Sequence, residues 1–164
     1  MGEVTAPEPI TETHFIESFS CGVPVLDEWL QRRALKNEIS GASRTFVVCQ
    51  GRQVVGYYTL ATGSIEHHNA PGKIRRNMPD PIPVMVLGRL AVDQERQHAG
   101  LGRGQLKDAV LRTLTVSQHA GVKALLVHAL SEDAKIFYTR NGCIESPFDP
   151  MTLMIALQDA TNCL

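Results

Sequence analysis

The sequence is poor in cysteine, and its cysteines do not stand at the spacing of a metal or redox motif. They are Cys21, Cys49, Cys143 and Cys163. The absence of a CxxC pair argues against a zinc ribbon and against a thioredoxin-type redox pair. No apolar run approaches the roughly 18 residues that a membrane span requires. The first residues lack a basic segment and are interrupted by Pro7 and Pro9, which is unlike a secretory signal. We therefore expect a soluble protein of the reducing cytoplasm with free thiols.

Basic residues are missing from both ends of the chain. Residues 1–28 contain six acidic residues and residues 141–164 contain three, with no Lys or Arg in either segment. The middle segment, 29–140, therefore holds all 16 basic residues against eight acidic ones, a net charge of +8 within a chain whose total is −1. This basic middle segment is compatible with a polyanionic partner such as nucleic acid.

The length of 164 residues predicts one domain, residues 1–164, with one sizeable core. A helix is predicted from Pro24 to Ser40, with Gly41 as its stop. Residues 45–49 and 54–63 read as the strands of a hairpin. Residues 64–83 contain four prolines and are predicted to be a long loop, and loops of this length are usually functional or disordered.

The second half of the chain alternates strands and helices. Residues 84–92 are nearly all apolar, which is typical of a central strand buried on both faces. A helix is predicted over 102–119, a strand over 123–129, a helix from the N-cap Ser131 to Arg140, and a last strand over 151–157. This order predicts a mixed α/β sheet.

A glycine-rich segment joins the central strand to the following helix. The strand VMVLGRLAV runs into DQERQHAGLGRG, with glycines at 100, 102 and 104. Glycines let the backbone approach a ligand closely, and the N–H groups of a helix N-terminus bind anions, so the segment suits a pyrophosphate. It is not a P-loop, because no Lys-Ser/Thr follows, and its glycine spacing is not that of a Rossmann motif.

Two motifs of the chain resemble those of the GNAT acetyltransferases. Residues 97–102, QHAGLG, fit motif A, (Arg/Gln)-x-x-Gly-x-(Gly/Ala), between a strand and a helix as in that family. Residues 134–142 fit the A-x-x-F-Y-x-x-x-G helix. The resemblance covers roughly residues 10–158 and implies the GNAT acyl-CoA N-acyltransferase fold, with acetyl-CoA as acetyl donor and no metal.

The GNAT resemblance also assigns roles to residues. The backbone of Leu90, Ala91 and Val92 would hold the pantetheine, and backbone N–H groups of 97–104 would bind the pyrophosphate. Tyr138 would be the catalytic acid that protonates the departing thiolate. The residues expected to bind the donor are Leu90, Ala91, Val92, Gln97, His98, Ala99, Gly100, Leu101, Gly102, Arg103, Gly104, Ala134 and Phe137.

A narrower resemblance is to the TacT/AtaT-type GNAT toxins of bacterial type II toxin–antitoxin pairs. It is carried by the strings VLDEWL-x-RRALKN, GASRTFVVC, YYTLATGS, RRNMPDPIPV and RLAVD, and departs from the family at Cys143, where Phe is frequent. The resemblance implies acetylation of the α-amine of aminoacyl-tRNA, a block of translation, a ribbon-helix-helix antitoxin and a homodimer.

The basic residues around the predicted acceptor entrance are candidates for tRNA binding through phosphate contacts. They are Arg32, Arg33, Lys36, Arg44, Lys73, Arg75, Arg76 and Arg89. Arg89 lies inside an apolar strand, where an unpaired charge is costly, so we expect it to point into the acceptor cleft or to pair with a carboxylate. The alternative is a solvated helix face and a flexible loop.

Other readings remain open from the sequence. The chain is alternatively a GNAT enzyme for a small amine or a protein N-terminus, or a non-enzymatic acyl-CoA sensor. No general base is evident, and His128 is predicted to be a core residue whose ring nitrogens are hydrogen-bonded. His67 and His68 lack a third ligand at metal spacing and read as loop residues. Trp29 reads as core, although Leu26, Trp29 and Leu30 also suit a dimer or antitoxin surface.

Overall fold

The computed structural model describes residues 3–160, and Cys163 lies outside this range. The strands are β1 (Glu8–Pro9), β2 (Arg44–Gln50), β3 (Gln53–Ile65), β4 (Ile82–Val92), β5 (Ala124–His128), β6 (Ile144–Glu145) and β7 (Thr152–Ala156). The helices are α1 (Pro24–Arg32), α2 (Ala34–Ser40), α3 (Gly72–Arg75), α4 (Leu101–Ser117), α5 (Glu132–Arg140) and α6 (Leu157–Ala160).

The strands form one mixed sheet in the order β1-β2-β3-β4-β5-β7-β6, which confirms the predicted α/β class. Strands β4 and β5 are parallel, and β2–β3, β5–β7 and β6–β7 are antiparallel. The chain divides into two compact units. Unit 1 comprises the chain up to Ala61 together with Gly88–Asp108, and unit 2 comprises Thr62–Leu87 together with the chain from Ala109 onward.

Unit 1 is built on the β2–β3 hairpin, with α1 and α2 packed on it. Leu30, Val47 and Tyr57 are fully buried in its core, and the Tyr57 hydroxyl donates a 2.6 Å hydrogen bond to the Leu26 carbonyl. Gly41 ends α2 with φ +82°, as predicted. The prediction of a single helix over 24–40 is wrong, because the helix is interrupted at Arg33. The sequence has no Pro or Gly at this position, so it gives no local signal of a break.

Unit 2 contains the parallel β4–β5 ladder, whose register runs from Val84↔Ala124 to Leu87↔Val127. The segment 64–83 is less irregular than predicted: β3 continues to Ile65, and a 3-10 turn at His67–Asn69 precedes α3. The fully buried Ile74 attaches α3 to a core that includes Ile82 and Met154. The apolar residue within a charged stretch explains why this segment folds against the sheet.

Cys21, Cys49 and Cys143 are free and buried, in agreement with the expectation of free thiols for these three residues. Among the described residues, no helix has both the length and the apolar character that a membrane crossing needs.

Candidate functional site

The glycine loop, residues 97–104, connects the end of β4 to the N-terminus of α4 in unit 1. His98 and Gly100 have left-handed backbones, with φ +66° and φ +83°. A Cβ atom at Gly100 or Gly104 would meet no other atom within 4 Å, so packing within the chain does not require glycine there. The first three N–H groups of α4 have no carbonyl partner inside the helix, whereas the fourth, that of Gly104, donates a 3.0 Å hydrogen bond to the Gly100 carbonyl. The loop therefore offers backbone donors and open space, which fits an anionic group such as a pyrophosphate.

Side chains fix the start of the glycine loop and the segment that leads into it. The Gln97 side-chain amide donates 3.0 Å hydrogen bonds to the carbonyls of Cys21 and Val92. The Asp93 carboxylate accepts from the N–H groups of Glu95 and Ser20, each at 3.1 Å. Because the Gln97 side chain is committed to these carbonyls, its backbone N–H is the group available to a ligand.

Residues 90–92, the predicted pantetheine strand, form the end of β4. Ala91 is buried, and Leu90 and Val92 are half-buried. Gln105, which no sequence motif singled out, is 1% exposed and donates 3.3 Å hydrogen bonds to the carbonyls of Ala91 and Tyr57. Gln105 thereby ties β4 to β3 from the second turn of α4. An amide inside an otherwise apolar helix face is the one signal that could have identified it.

Helix α5 in unit 2 carries the predicted catalytic tyrosine. Ser131 caps it as predicted, its hydroxyl accepting from the Ala134 N–H at 3.1 Å. Tyr138 is 6% exposed, and its ring packs edge-on against Phe137 at 5.2 Å. Burial, with a smaller contribution from Cys143, raises the pKa of Tyr138 above its usual value of about 10. The hydroxyl therefore stays protonated at neutral pH and is a weaker proton donor than a phenol in water.

Seven of the eight predicted tRNA-binding residues are exposed and fall into two groups. Five are exposed, namely Arg32, Arg33, Lys36, Arg75 and Arg76. Two others are exposed but engaged by acidic residues: Arg44 pairs with Glu38 at 2.6 Å, and Lys73 pairs with Asp159 at 2.6 Å. Because their charges are already paired, these two residues are weaker candidates for a phosphate contact than the sequence alone suggested.

Arg89 packs on an aromatic ring. Its guanidinium carbon lies 4.2 Å from the centroid of the Trp29 ring, which is itself stacked on Tyr57 with an angle of 8° between the planes. Burial lowers the pKa of Arg89, and the Trp29 face supplies a cation–π contact in partial compensation. We expected Arg89 either to point into the acceptor cleft or to pair with a carboxylate. The partner that the structure gives it is instead the ring of Trp29, 60 positions away in the sequence.

Unit 2 contains a cavity of about 300 Å³ at the ends of β3, β5 and β7. Val86 and Leu126 line its apolar side, and Ser64, His128 and Asp149 are among its polar residues. His128 is exposed, so the expectation of a core histidine is wrong. It is the last residue of β5, where the strand leaves the core, and the apolar run before it gave no sign of this boundary.

Metal ligation has weak support among the described residues. Ligand atoms of Glu8, His14 and Cys49 lie within 4.8 Å of one another. His14 bonds Glu8 through Nε2 at 2.8 Å and accepts from the Thr11 N–H through Nδ1 at 2.9 Å. Burial raises the pKa of Cys49 to about 11, so a thiolate ligand is scarce at neutral pH. We therefore interpret this group as a hydrogen-bonded structural cluster.

Comparisons with known proteins come from sequence and from structure. No protein-family model matches the chain. It is 47% identical to the tRNA-acetylating toxin of Mycobacterium tuberculosis over 160 residues, which cover 98% of this chain and 96% of that protein. The structure matches AtaT in complex with acetyl-methionyl-tRNAfMet, with a TM-score of 0.90, 27% identity and coverage of 98% of both chains. It also matches a point mutant of AtaT bound to acetyl-CoA and the C-terminus of the antitoxin AtaR, with a TM-score of 0.83, 27% identity and coverage of 97% and 96%.

Proposed function

Since the chain belongs to the family of tRNA-acetylating toxins, which have the GNAT acetyltransferase fold, we propose that it acetylates the α-amino group of aminoacyl-tRNA with acetyl-CoA as donor. The observation that carries this proposal is the 47% identity over nearly the full length of both chains. An acetylated α-nitrogen is an amide and no longer a nucleophile for peptide-bond formation. The reaction therefore blocks translation, which is the toxic effect.

The glycine loop and the end of β4 are the proposed binding site of the donor. Backbone N–H groups of residues 97–104 bind the pyrophosphate, and residues 90–92 hold the pantetheine as one strand holds another. Ala134 and Phe137, both half-buried on α5, are the residues that the GNAT resemblance assigns to the thiol end of the donor. The open space at Gly100 and Gly104 supports this assignment, because a phosphate approaches a backbone most closely where no side chain intervenes.

Tyr138 is the proposed proton donor to the departing thiolate of coenzyme A. A thiol has a pKa near 8.5 and a phenol a pKa near 10, so the transfer is uphill by about 2 kcal/mol in water. The raised pKa of the buried Tyr138 increases this difference, unless the thiolate is desolvated with it. We propose that both groups react in the same dry environment, so that their pKa values rise together.

The acceptor chemistry favours an α-amine over a lysine side chain. Deprotonating a lysine at pH 7 costs about 4–5 kcal/mol, whereas an α-amine with a pKa near 7.7–8.0 costs about 1 kcal/mol. An adjacent ester lowers that pKa further. An aminoacyl ester is therefore a suitable acceptor for an enzyme in which the sequence shows no strong base.

Phosphate contacts position the tRNA in this proposal. The exposed basic residues Arg32, Arg33, Lys36, Arg75 and Arg76 are the first candidates, with Arg44, Lys73 and Arg89 as further ones. Neutralised phosphates release counterions, so the affinity for tRNA falls steeply with salt. A small amine as acceptor would show no comparable salt dependence.

We propose four further properties from the family. The protein binds an antitoxin, as the AtaT complex with AtaR supports, and that antitoxin is of the ribbon-helix-helix type. The toxin acts as a homodimer and in the cytoplasm, where charged tRNA is found. The chain acts as a single GNAT domain over residues 1–164.

The test is incubation of the purified protein with labelled acetyl-CoA and total charged tRNA, followed by mass spectrometry of the released aminoacyl adenosines. The proposal predicts an added acetyl group on the α-nitrogen of one or a few aminoacyl adenosines. Absence of any acetylated species, with acetyl-CoA bound to the protein, would refute it.

A further inference from the structure

We infer that the unit 2 cavity receives the aminoacyl end of the charged tRNA and that His128 Nε2 takes a proton from the α-nitrogen during acetyl transfer. This inference rests on the proposed function and adds to it a general base and an acceptor pocket. Its evidence is the geometry of the cavity and the hydrogen bonds that orient His128.

The cavity has the size and the lining of a small-molecule site. Its volume of about 300 Å³ is at the lower end of the range of ligand pockets. Val86 and Leu126 are apolar lining residues that suit an aliphatic group, while Ser64 and Asn69 are lining residues that supply polar atoms. This combination suits an aminoacyl ester of ribose, because the amino acid has an apolar side chain beside a polar amine and ester.

A chain of hydrogen bonds sets the tautomer of His128. The Thr152 hydroxyl donates to Asp149 Oδ2 at 2.7 Å, so its single proton is already used. The 3.0 Å contact between Thr152 Oγ1 and His128 Nδ1 must then have the imidazole as donor. With its proton on Nδ1, the neutral imidazole has a lone pair on Nε2. The chain Asp149–Thr152–His128 therefore holds His128 ready to accept a proton.

Asp149 also gives the cavity a negative charge. Hydrogen bonds from the Thr152 hydroxyl and the Met151 N–H lower the pKa of Asp149 below its usual value. Among the residues lining the cavity, Asp149 and His128 are the titratable ones, and no lysine or arginine opposes them. A carboxylate without an opposing cation attracts the ammonium form of an α-amine and disfavours a phosphate.

The elements of unit 2 connect the cavity to the proposed acid. The β4–β5 ladder ends at the pair Leu87↔Val127, and the cavity residues Val86 and His128 each neighbour one member of this pair. After His128 three residues lead to α5, which carries Tyr138. The proposed base, His128 on β5, and the proposed acid, Tyr138 on α5, therefore lie on consecutive elements of unit 2.

The reaction forms an amide bond and releases coenzyme A. The free α-amine, formed from the ammonium by loss of a proton to water, forms a bond to the carbonyl carbon of the thioester, and His128 Nε2 accepts a proton from its nitrogen. The carbon–sulfur bond breaks, its electron pair goes to sulfur, and sulfur takes the Tyr138 hydroxyl proton. Net proton transfer through solvent from the imidazolium to the phenolate restores both side chains. The products are the N-acetylated aminoacyl-tRNA and coenzyme A.

The experiment compares wild type with His128→Ala, using purified aminoacyl-tRNA and labelled acetyl-CoA, with and without added imidazole. Loss of a general base typically lowers the rate about 10²–10⁴-fold, so we expect a fall of kcat of at least about 100-fold. We expect the KM for acetyl-CoA to stay within about twofold of wild type. Imidazole restores part of kcat in proportion to its concentration, and more basic substituted imidazoles restore more.

A matched pair tests the positioning role of Thr152. Thr152→Val removes the hydroxyl with little change of shape, and we expect kcat to fall about tenfold, while Thr152→Ser keeps the hydroxyl and most of the activity. Melting temperatures verify that both variants fold.

The outcomes separate the inference from the function on which it rests. A wild-type protein that acetylates no aminoacyl-tRNA overturns the proposed function. An active wild type with His128→Ala within threefold of it overturns the inference alone. A loss in His128→Ala that no imidazole restores also overturns the role of His128 as base.

Discussion

Replacing Gly100 by alanine tests the glycine loop against a control of the same backbone geometry. Gly100 has φ +83° and Gly41, at the end of α2, has φ +82°, and a Cβ at either position meets no atom within 4 Å. An alanine in this region costs roughly 1–2 kcal/mol. For a chain of this length that lowers the melting temperature by about 2–8 °C in both variants.

The two variants differ in whether the added methyl group lies at the proposed acetyl-CoA site, as it does at Gly100 and not at Gly41. At Gly100 it displaces the pyrophosphate from at least one backbone N–H, and a charge-assisted hydrogen bond is worth about 1.5–3 kcal/mol, or about 10- to 150-fold in affinity. We expect calorimetry to show this loss for acetyl-CoA with Gly100→Ala and unchanged affinity with Gly41→Ala. Equal acetyl-CoA affinities in the two variants would refute the assignment of the loop.

Three more predictions follow from other residues. Tyr138→Phe should leave acetyl-CoA affinity unchanged and lower kcat by about 10²–10⁴-fold in a steady-state assay, because only the proton donor is lost; a kcat near wild type would remove Tyr138 from the mechanism. If the five exposed basic residues each contact one phosphate, raising salt from 50 to 200 mM should weaken tRNA binding about 100- to 500-fold in a filter-binding assay; a flat salt response would contradict a tRNA acceptor. Burial raises the pKa of Cys21 and Cys49 to about 11. At pH 8 their alkylation by iodoacetamide, followed by peptide mass spectrometry, should therefore be at least about a hundredfold slower in the native than in the urea-unfolded protein; equal rates would contradict the burial.

The glycine loop was predictable because its determinants are local. The glycines, the preceding apolar strand and the following helix are contiguous in sequence, and each acts through the backbone of its own position. The same holds for the Ser131 cap and for the Gly41 helix stop, both of which the structure confirms. The resemblance to the GNAT family then added roles that spacing alone does not supply.

The contacts that depend on the folded sheet were not predictable. Trp29 and Arg89 are 60 positions apart, and their stacking follows from the packing of α1 against the sheet in unit 1. His128 and Thr152 meet because β5 and β7 pair in a register that no single strand encodes. The break at Arg33 and the two-residue strands β1 and β6 lack a local signal strong enough to mark them.

The central claim is that the acetyl group goes to a nitrogen that is both free and attached to tRNA. The most direct measurement offers labelled acetyl-CoA and the protein to three acceptors: charged tRNA, the same tRNA deacylated, and the same charged tRNA with its α-amine formylated. The account predicts label on the first alone. Label on the deacylated or formylated tRNA, or none on the charged one, would contradict it.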